Sequence, residues 1–226
     1  MIRDPEAHHH IHLFANHRWA IAGAVVLYLF AGGLFIAVGL EGDVLQPLDD
    51  WWHGRMVASE NDWVTLLAKS MDVLGGAFVT WPIRIGMAVV LGVRRYWVLL
   101  VYWIATAVIS ELAIGLLKGA YDRPRPPASL VGTTGASFPS GHSVVGAATA
   151  VALVIVLLAP GVHRRAWEFR AGLFALVMAM SRVYLRAHWL TDVLAGLLLG
   201  AATALALAAV ADEVRSRLRL DRREPT

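Results

Sequence analysis

Three polar clusters interrupt an otherwise apolar chain. The first is Lys118, six residues, then Arg125-Pro126. The second is Pro139-Ser140-Gly141-His142. The third is Ser181-Arg182, five residues, His188, three residues, then Asp192. His188 and Asp192 are four apart, so on a helix they would share a face. A carboxylate there can accept from one imidazole nitrogen, fix the tautomer and leave the other nitrogen free to attack. Pro139 and Gly141 favour a tight turn into a helix. The N–H groups of Ser140, Gly141 and His142 would then form an anion site at its N-terminus. His142 can give a proton to a leaving oxygen. Lys118 adds a point charge, while Arg125 and Arg182 add forks matched to phosphate oxygens. Together these groups could hold a phosphate and break its ester by covalent catalysis.

Each cluster alone has a plainer reading. His188 and Asp192 could be a buried pair at a helix start. Ser140 could be an ordinary helix cap. The basic residues could snorkel to lipid headgroups. That last reading fits Arg123 well, and Arg125 less well once Arg182 joins it. The ordinary cap does not explain the imidazole beside it.

The elements that must position these groups are apolar helices. The chain has 226 residues, 58% hydrophobic and only 16% charged. Soluble domains carry about 25% charged residues. Six segments approach the roughly 20 residues that cross a bilayer, at about 19–40, 74–93, 97–117, 144–160, 171–185 and 190–211. The second is interrupted by Pro82 and Arg84. The expected fold is an all-α integral membrane bundle of six transmembrane helices, one domain over 1–226, with its motifs at 118–192.

Twelve arginines share one side if every segment crosses: Arg3, Arg18, Arg94, Arg95, Arg164, Arg165, Arg170, Arg215, Arg217, Arg219, Arg222 and Arg223. The positive-inside rule makes that side cytoplasmic, together with both termini. The three motifs fall on the other side, so the site is expected to face the extracytoplasmic space. Glu41, Asp43, Asp49, Asp50, Glu60 and Asp62 lie there too. Within residues 41–73, Pro47-Leu48-Asp49-Asp50-Trp51-Trp52 reads as a helix start capped by Asp49 or Asp50. A short amphipathic helix on the outer surface is expected. A mere connector fits the segment as well. Arg84 and Glu111 are intramembrane charges, which are costly unless paired, so they are expected to pair across the second and third segments. Arg84 reaching the substrate's headgroup is the rival reading.

The three motifs resemble the signature of the type 2 phosphatidic acid phosphatase superfamily. That superfamily includes membrane lipid phosphate phosphatases, glucose-6-phosphatase, bacterial acid phosphatases and vanadium haloperoxidases. Every signature position is occupied. The resemblance implies that His188 is the nucleophile, forming a phosphohistidine, and that Asp192 orients it. His142 would protonate the leaving group and later activate water. Lys118, Arg125 and Arg182 would bind phosphate oxygens, with Ser140 and the Gly141 amide. It also implies no metal and no cofactor, and three cations make that physically sensible. The implied enzyme hydrolyses a lipid phosphate or diphosphate in the cell membrane, with membrane lipids as its surroundings. An isoprenyl diphosphate is the leading substrate, because the site faces outward. Phosphatidate, phosphatidylglycerophosphate and phosphotransfer to a lipid acceptor are the alternatives. A haloperoxidase would use His188 to ligate vanadate, but those enzymes are soluble and larger. A lipid-binding bundle without chemistry would not need His188 and Asp192.

Other classes are excluded. Net charge is +3 and the arginines sit at helix ends rather than along one soluble face, so nucleic acid is not an expected partner. There are no cysteines, which removes disulfides and thiolate sites. No cleavable signal peptide is expected, because His8, His9, His10 and His12 precede the first apolar run. That cluster reads as a solvated tail rather than a metal site. Arg215–Arg223 reads as a topology anchor touching anionic lipid. No feature specifies an oligomeric state.

Overall fold

A computed structural model of the chain describes residues 13–14, 17–39 and 44–220, and among these it contains helices and connections but no strand. The N-terminal histidines, Glu41, Asp43, Arg222 and Arg223 lie outside the described residues. Among the described residues eight helices follow in order. They are α1 (His17–Gly39), α2 (Gln46–Ala58), α3 (Asp62–Gly75), α4 (Ala77–Val93), α5 (Trp97–Tyr121), α6 (Gly141–Leu157), α7 (Val162–Tyr184) and α8 (Leu190–Leu220).

Helix ends follow local chemistry. Asn61 starts α3 by accepting from Trp63 N at 3.0 Å and Val64 N at 3.4 Å. Gly76 separates α3 from α4, and the two meet at a 43° bend. Pro82 and Arg84 both lie inside α4, which continues through them. Pro47 occupies the first turn of α2, but neither Asp49 nor Asp50 caps it. Leu45 holds the cap position without a side-chain bond, and Asp49 turns inward instead. Where one helix was expected within 41–73, the chain forms two, α2 and α3.

Among the described residues, three helices are long and apolar enough to cross a membrane, over Arg18–Gly39, Trp97–Tyr121 and Leu190–Leu218. The bent pair α3–α4 passes the same test as one unit, and α6 is apolar but shorter. Their outer faces carry large bare side chains: Leu29 and Phe30 on α1, Phe78 and Val89 on α4, Val101 and Leu116 on α5. In water such a surface would drive association; in a bilayer it is the lipid face. This is an all-helical membrane protein.

Helix α8 is the hub, packed on α1, α5, α6 and α7. Its inner side is small: Ala195, Ala202, Ala204 and Ala208 are fully buried. Gly196 and Gly200, one turn apart, bring its backbone directly onto the first turns of α6. A Cβ at Gly196 would sit 2.8 Å from Ser140 O, and one at Gly200 would collide with Val144 O. Small residues at this spacing are how membrane helices approach closely. The contact places the second motif against the third.

Arg84 and Glu111 pair as expected, with Nη1 2.6 Å from Oε1. Trp103 Nε1 donates to the Arg84 carbonyl at 2.8 Å, fixing α4 against α5.

Candidate active site

His188 sits one residue short of a helix. Helix α7 ends at Tyr184 and Arg186 adopts the left-handed conformation with φ 57°. Ala187 N and His188 N both donate back to Arg182 O, at 3.1 and 3.3 Å. This turn, closed with Arg186 where glycine is usual, aims the His188 ring inward. Helix α8 then starts at Leu190, and Asp192 in its first turn accepts from Trp189 N at 2.8 Å. The carboxylate thus satisfies an orphan donor of its own helix, as in a capping box. His188 and Asp192 do not share a helix face, as their spacing suggested. They meet because the chain turns into the helix between them. Nδ1 lies 3.5 Å from Asp192 Oδ2, within ion-pair range but long for a hydrogen bond.

Asp192 is fully buried and well supplied with donors. Ser137 Oγ donates to Oδ2, and Arg123 Nη1 donates to Oδ1 at 2.8 Å. Arg123 is the main departure from expectation. It does not snorkel; it is buried, and binds Asp192, Thr191 Oγ1 (2.8 Å), Gln46 Oε1 (2.9 Å) and Asp49 Oδ2 (2.8 Å). Asp49 also accepts from Thr191 N at 3.0 Å and Thr191 Oγ1 at 2.6 Å. Helix α2 is therefore tied by polar bonds to the base of the His188–Asp192 pair. The reason is electrostatic: a carboxylate removed from water needs a cation and full hydrogen bonding. Burial works against the Arg123 charge, but Asp192 and Asp49 more than offset it and raise its pKa.

Burial pushes the His188 imidazole down to about 4, against the pull of Asp192 and aided by Arg125 and Arg182. The ring is neutral at pH 7. Its Nδ1 faces Asp192 while Nε2 lies 3.2 Å from Arg125 Nη1. An imidazole in that state keeps a lone pair on the nitrogen nearest the cations. Arg125 itself is anchored by carbonyls: Gly135 O at 2.9 Å, Thr134 O at 2.9 Å, Ala136 O at 3.2 Å and Ala187 O at 2.7 Å. Burial lowers its pKa, with Asp192 opposing. Lys118, in the last turn of α5, donates to the same Ala136 O.

The second motif opens α6. Ser140 holds the cap position, yet its hydroxyl makes no cap bond; it accepts from Ser143 Oγ at 3.0 Å. Ser140 N donates to Asp192 O at 3.0 Å, joining the two motifs through backbone. Gly141 and His142 form the first turn, where backbone N–H groups favour an anion. His142 Nε2 meets the backbone and carboxylate oxygens of Asp72, and Arg182 Nη1 pairs with the same carboxylate.

All eight expected residues thus fall in one connected cluster. Lys118 and Arg125 share Ala136 O; Arg125 reaches His188; His188 reaches Asp192; Asp192 holds the Ser140 amide; and Gly141 leads to His142, which joins Arg182 through Asp72. Asp72, Asp49, Arg123, Ser137 and Thr191 were not foreseen. For Asp72 a signal existed: it is a lone carboxylate in the apolar run Met71-Asp72-Val73-Leu74. Nothing in the local sequence distinguishes Asp49 from Asp50. A neutral nucleophile, an imidazole at a helix N-terminus and three cations can bind a tetrahedral anion and displace one of its substituents.

Known proteins resemble this chain in sequence and in fold. A family model described as the PAP2 superfamily matches residues 95–215. Phosphatidylglycerophosphatase B of Bacillus subtilis is 30% identical over 190 residues, covering 78% of this chain and 88% of that protein. The structure resembles a crystal structure of a transmembrane PAP2-type phosphatidylglycerolphosphate phosphatase from Bacillus subtilis. The TM-score is 0.75 at 27% identity, over 84% of this chain and 96% of that one. It also resembles the fold of Aquifex aeolicus LpxE, with TM-score 0.56 and 19% identity, over 69% of this chain and 91% of that one.

Proposed function

The chain belongs to the PAP2 superfamily, and on that premise we propose that it hydrolyses a lipid phosphate through a phosphohistidine on His188. The observation that carries the proposal is the buried His188, with Nδ1 3.5 Å from Asp192 Oδ2 on one side and Nε2 facing Arg125 on the other. The phosphoryl group would sit between His188 Nε2, the cations Lys118, Arg125 and Arg182, and the first turn of α6 with Ser140 and Gly141. Nε2 attacks phosphorus while the ester oxygen leaves with a proton from His142. Asp192 balances the positive charge that develops on the His188 ring. His142 then takes a proton from water as its oxygen attacks, and the P–N bond breaks back to His188. The three cations neutralise the transferring group, so no divalent ion takes part.

The similarity to phosphatidylglycerophosphatase B favours phosphatidylglycerophosphate over the isoprenyl diphosphate that the outward-facing site suggests. The arginine distribution supports a six-span, single-domain protein over 1–226, with cytoplasmic termini and an extracytoplasmic site. In this scheme α1, α4, α5, α6, α7 and α8 cross, while α2 and α3 approach from the outer surface.

The test is phosphate release in detergent with EDTA present, from phosphatidylglycerophosphate, phosphatidate and a polyprenyl diphosphate. Release favouring phosphatidylglycerophosphate and lost in His188→Ala supports the proposal. Release only from the diphosphate overturns the substrate. No release by folded protein overturns the hydrolytic reading.

A further inference from the structure

Asp72 lies on α3, outside the three motifs, yet it contacts a residue from each of two. Its carboxylate Oδ1 is 3.2 Å from His142 Nε2 and pairs with Arg182 Nη1. Its backbone carbonyl lies 3.1 Å from the same His142 Nε2. Two acceptors on one ring nitrogen assign the hydrogen to Nε2, leaving Nδ1 as the position open to substrate. Arg182 is held the same way. Its Nη1 is taken by Asp72, while its buried Nε has no protein partner. A guanidinium fixed at one end and bare at another is oriented for a second acceptor.

A separate contact shows that α3 is shaped around His142. A Cβ added at Gly75 would lie 2.7 Å from His142 Cδ2 and 2.5 Å from Met178 Sδ. A glycine thus lets the α3 backbone lie close against the ring, one turn from the carboxylate that holds its edge.

We propose that Asp72 is the positioning residue of the proton-transfer half of the reaction. It holds His142 with Nδ1 toward the leaving oxygen. The His142–Asp72 pair thus stands opposite the His188–Asp192 pair. This rests on reading His188 as nucleophile and His142 as acid and base. In the first step the P–O bond breaks and its electron pair takes the Nδ1 proton of His142, while Nε2–H stays on Asp72. In the second, water gives that proton back to Nδ1 as its oxygen bonds to phosphorus and the P–N pair returns to His188. Asp72 stabilises the protonated ring before the first step and after the second.

Leaving-group dependence separates this role from a structural one. An alkyl phosphate needs its leaving oxygen protonated; p-nitrophenyl phosphate does not. Asp72→Asn, checked for wild-type elution and melting in detergent, is expected to lose about 10²-fold in kcat on a short-chain lipid phosphate, the scale of general acid catalysis. Phosphoenzyme formation from p-nitrophenyl phosphate should change by less than about threefold on the same reasoning. The phosphohistidine should accumulate, because its hydrolysis still needs His142. His142→Ala is run beside it. If His142→Ala is selective for the alkyl ester and Asp72→Asn is not, the role of Asp72 is overturned while the reading of His142 stands. If His142→Ala loses both substrates equally, the reading fails and this inference with it. Should Asp72→Asn not fold, Asp72→Glu keeps the charge one methylene away. A smaller loss confined to the alkyl ester supports the role, and an equal loss on both overturns it.

Discussion

Replacing Arg123 by methionine tests the buried network beneath His188. Arg123 faces two carboxylates, Asp49 at 1% and Asp192 at 0% exposure, with ion-pair distances of 2.8 Å to each. Methionine keeps much of the volume and removes the charge and the hydrogen bonds to Asp192, Thr191, Gln46 and Asp49. Two carboxylates are then left buried without a cation. Removing one partner of a buried ion pair costs about 3–5 kcal/mol. For a chain of this length each kcal/mol shifts Tm by about 2–4 °C, so the expected fall is on the order of 10 °C. Activity should drop too, because Asp192 loses the donor that holds Oδ1 and His188 loses its fixed partner. The assay is thermal unfolding in detergent beside phosphate release. A cycle with Asp49→Asn adds a sharper readout. Once Arg123 is gone, neutralising Asp49 should stabilise rather than destabilise. A Tm within 2 °C of wild type, with full activity, would refute the claim that this guanidinium compensates the two carboxylates.

Gly200→Ala forces a methyl group into the Val144 carbonyl. The expected cost is about 1–3 kcal/mol, with reduced turnover because α8 and α6 carry the two halves of the site; wild-type melting and turnover would show that the helices slide freely. Arg84→Leu strands Glu111 on an apolar helix. It should reduce yield and Tm, and Arg84→Leu with Glu111→Leu should recover both, since an apolar pair can replace an ionic one. The His188 ring is held near pKa 4, below its ordinary 6.5. The unfolded chain therefore binds the proton first as pH falls. Stability from this group is complete above about pH 6.5 and is lost toward pH 4, by up to about 3 kcal/mol. The difference in unfolding free energy between wild type and His188→Gln should follow that window; parallel profiles would contradict it.

The long apolar helices and the eight motif residues were legible because their signals are local: apolar runs, and polar residues at short fixed spacing; the division of 46–75 into α2 and α3 was not. The Arg84–Glu111 pair was legible for a related reason, since two costly charges in adjacent apolar segments need each other. Asp72 and Asp49 were not, because what gives them meaning lies 110 and 142 residues away, at Arg182 and Thr191. Arg123 was misread for the same cause. Beside Arg125 in a proline-stiffened stretch it looks like a headgroup contact, and only the fold brings to it Asp49 of α2 and Asp192 of α8, the two carboxylates that draw it inside. The spacing of His188 and Asp192 pointed to the right pair through the wrong geometry, because a turn followed by a helix start can bring positions i and i+4 together as a helix does.

The central claim is a covalent phosphate on His188, and chemical trapping tests it most directly. The enzyme would be mixed in detergent and EDTA with phosphatidylglycerophosphate carrying 32P in its terminal phosphate, quenched within milliseconds to seconds, and the labelled residue mapped. The account predicts an acid-labile, base-stable label on His188, absent from His188→Ala and prolonged in His142→Ala. Phosphate release that persists in His188→Ala, or a label on any other residue, would contradict it.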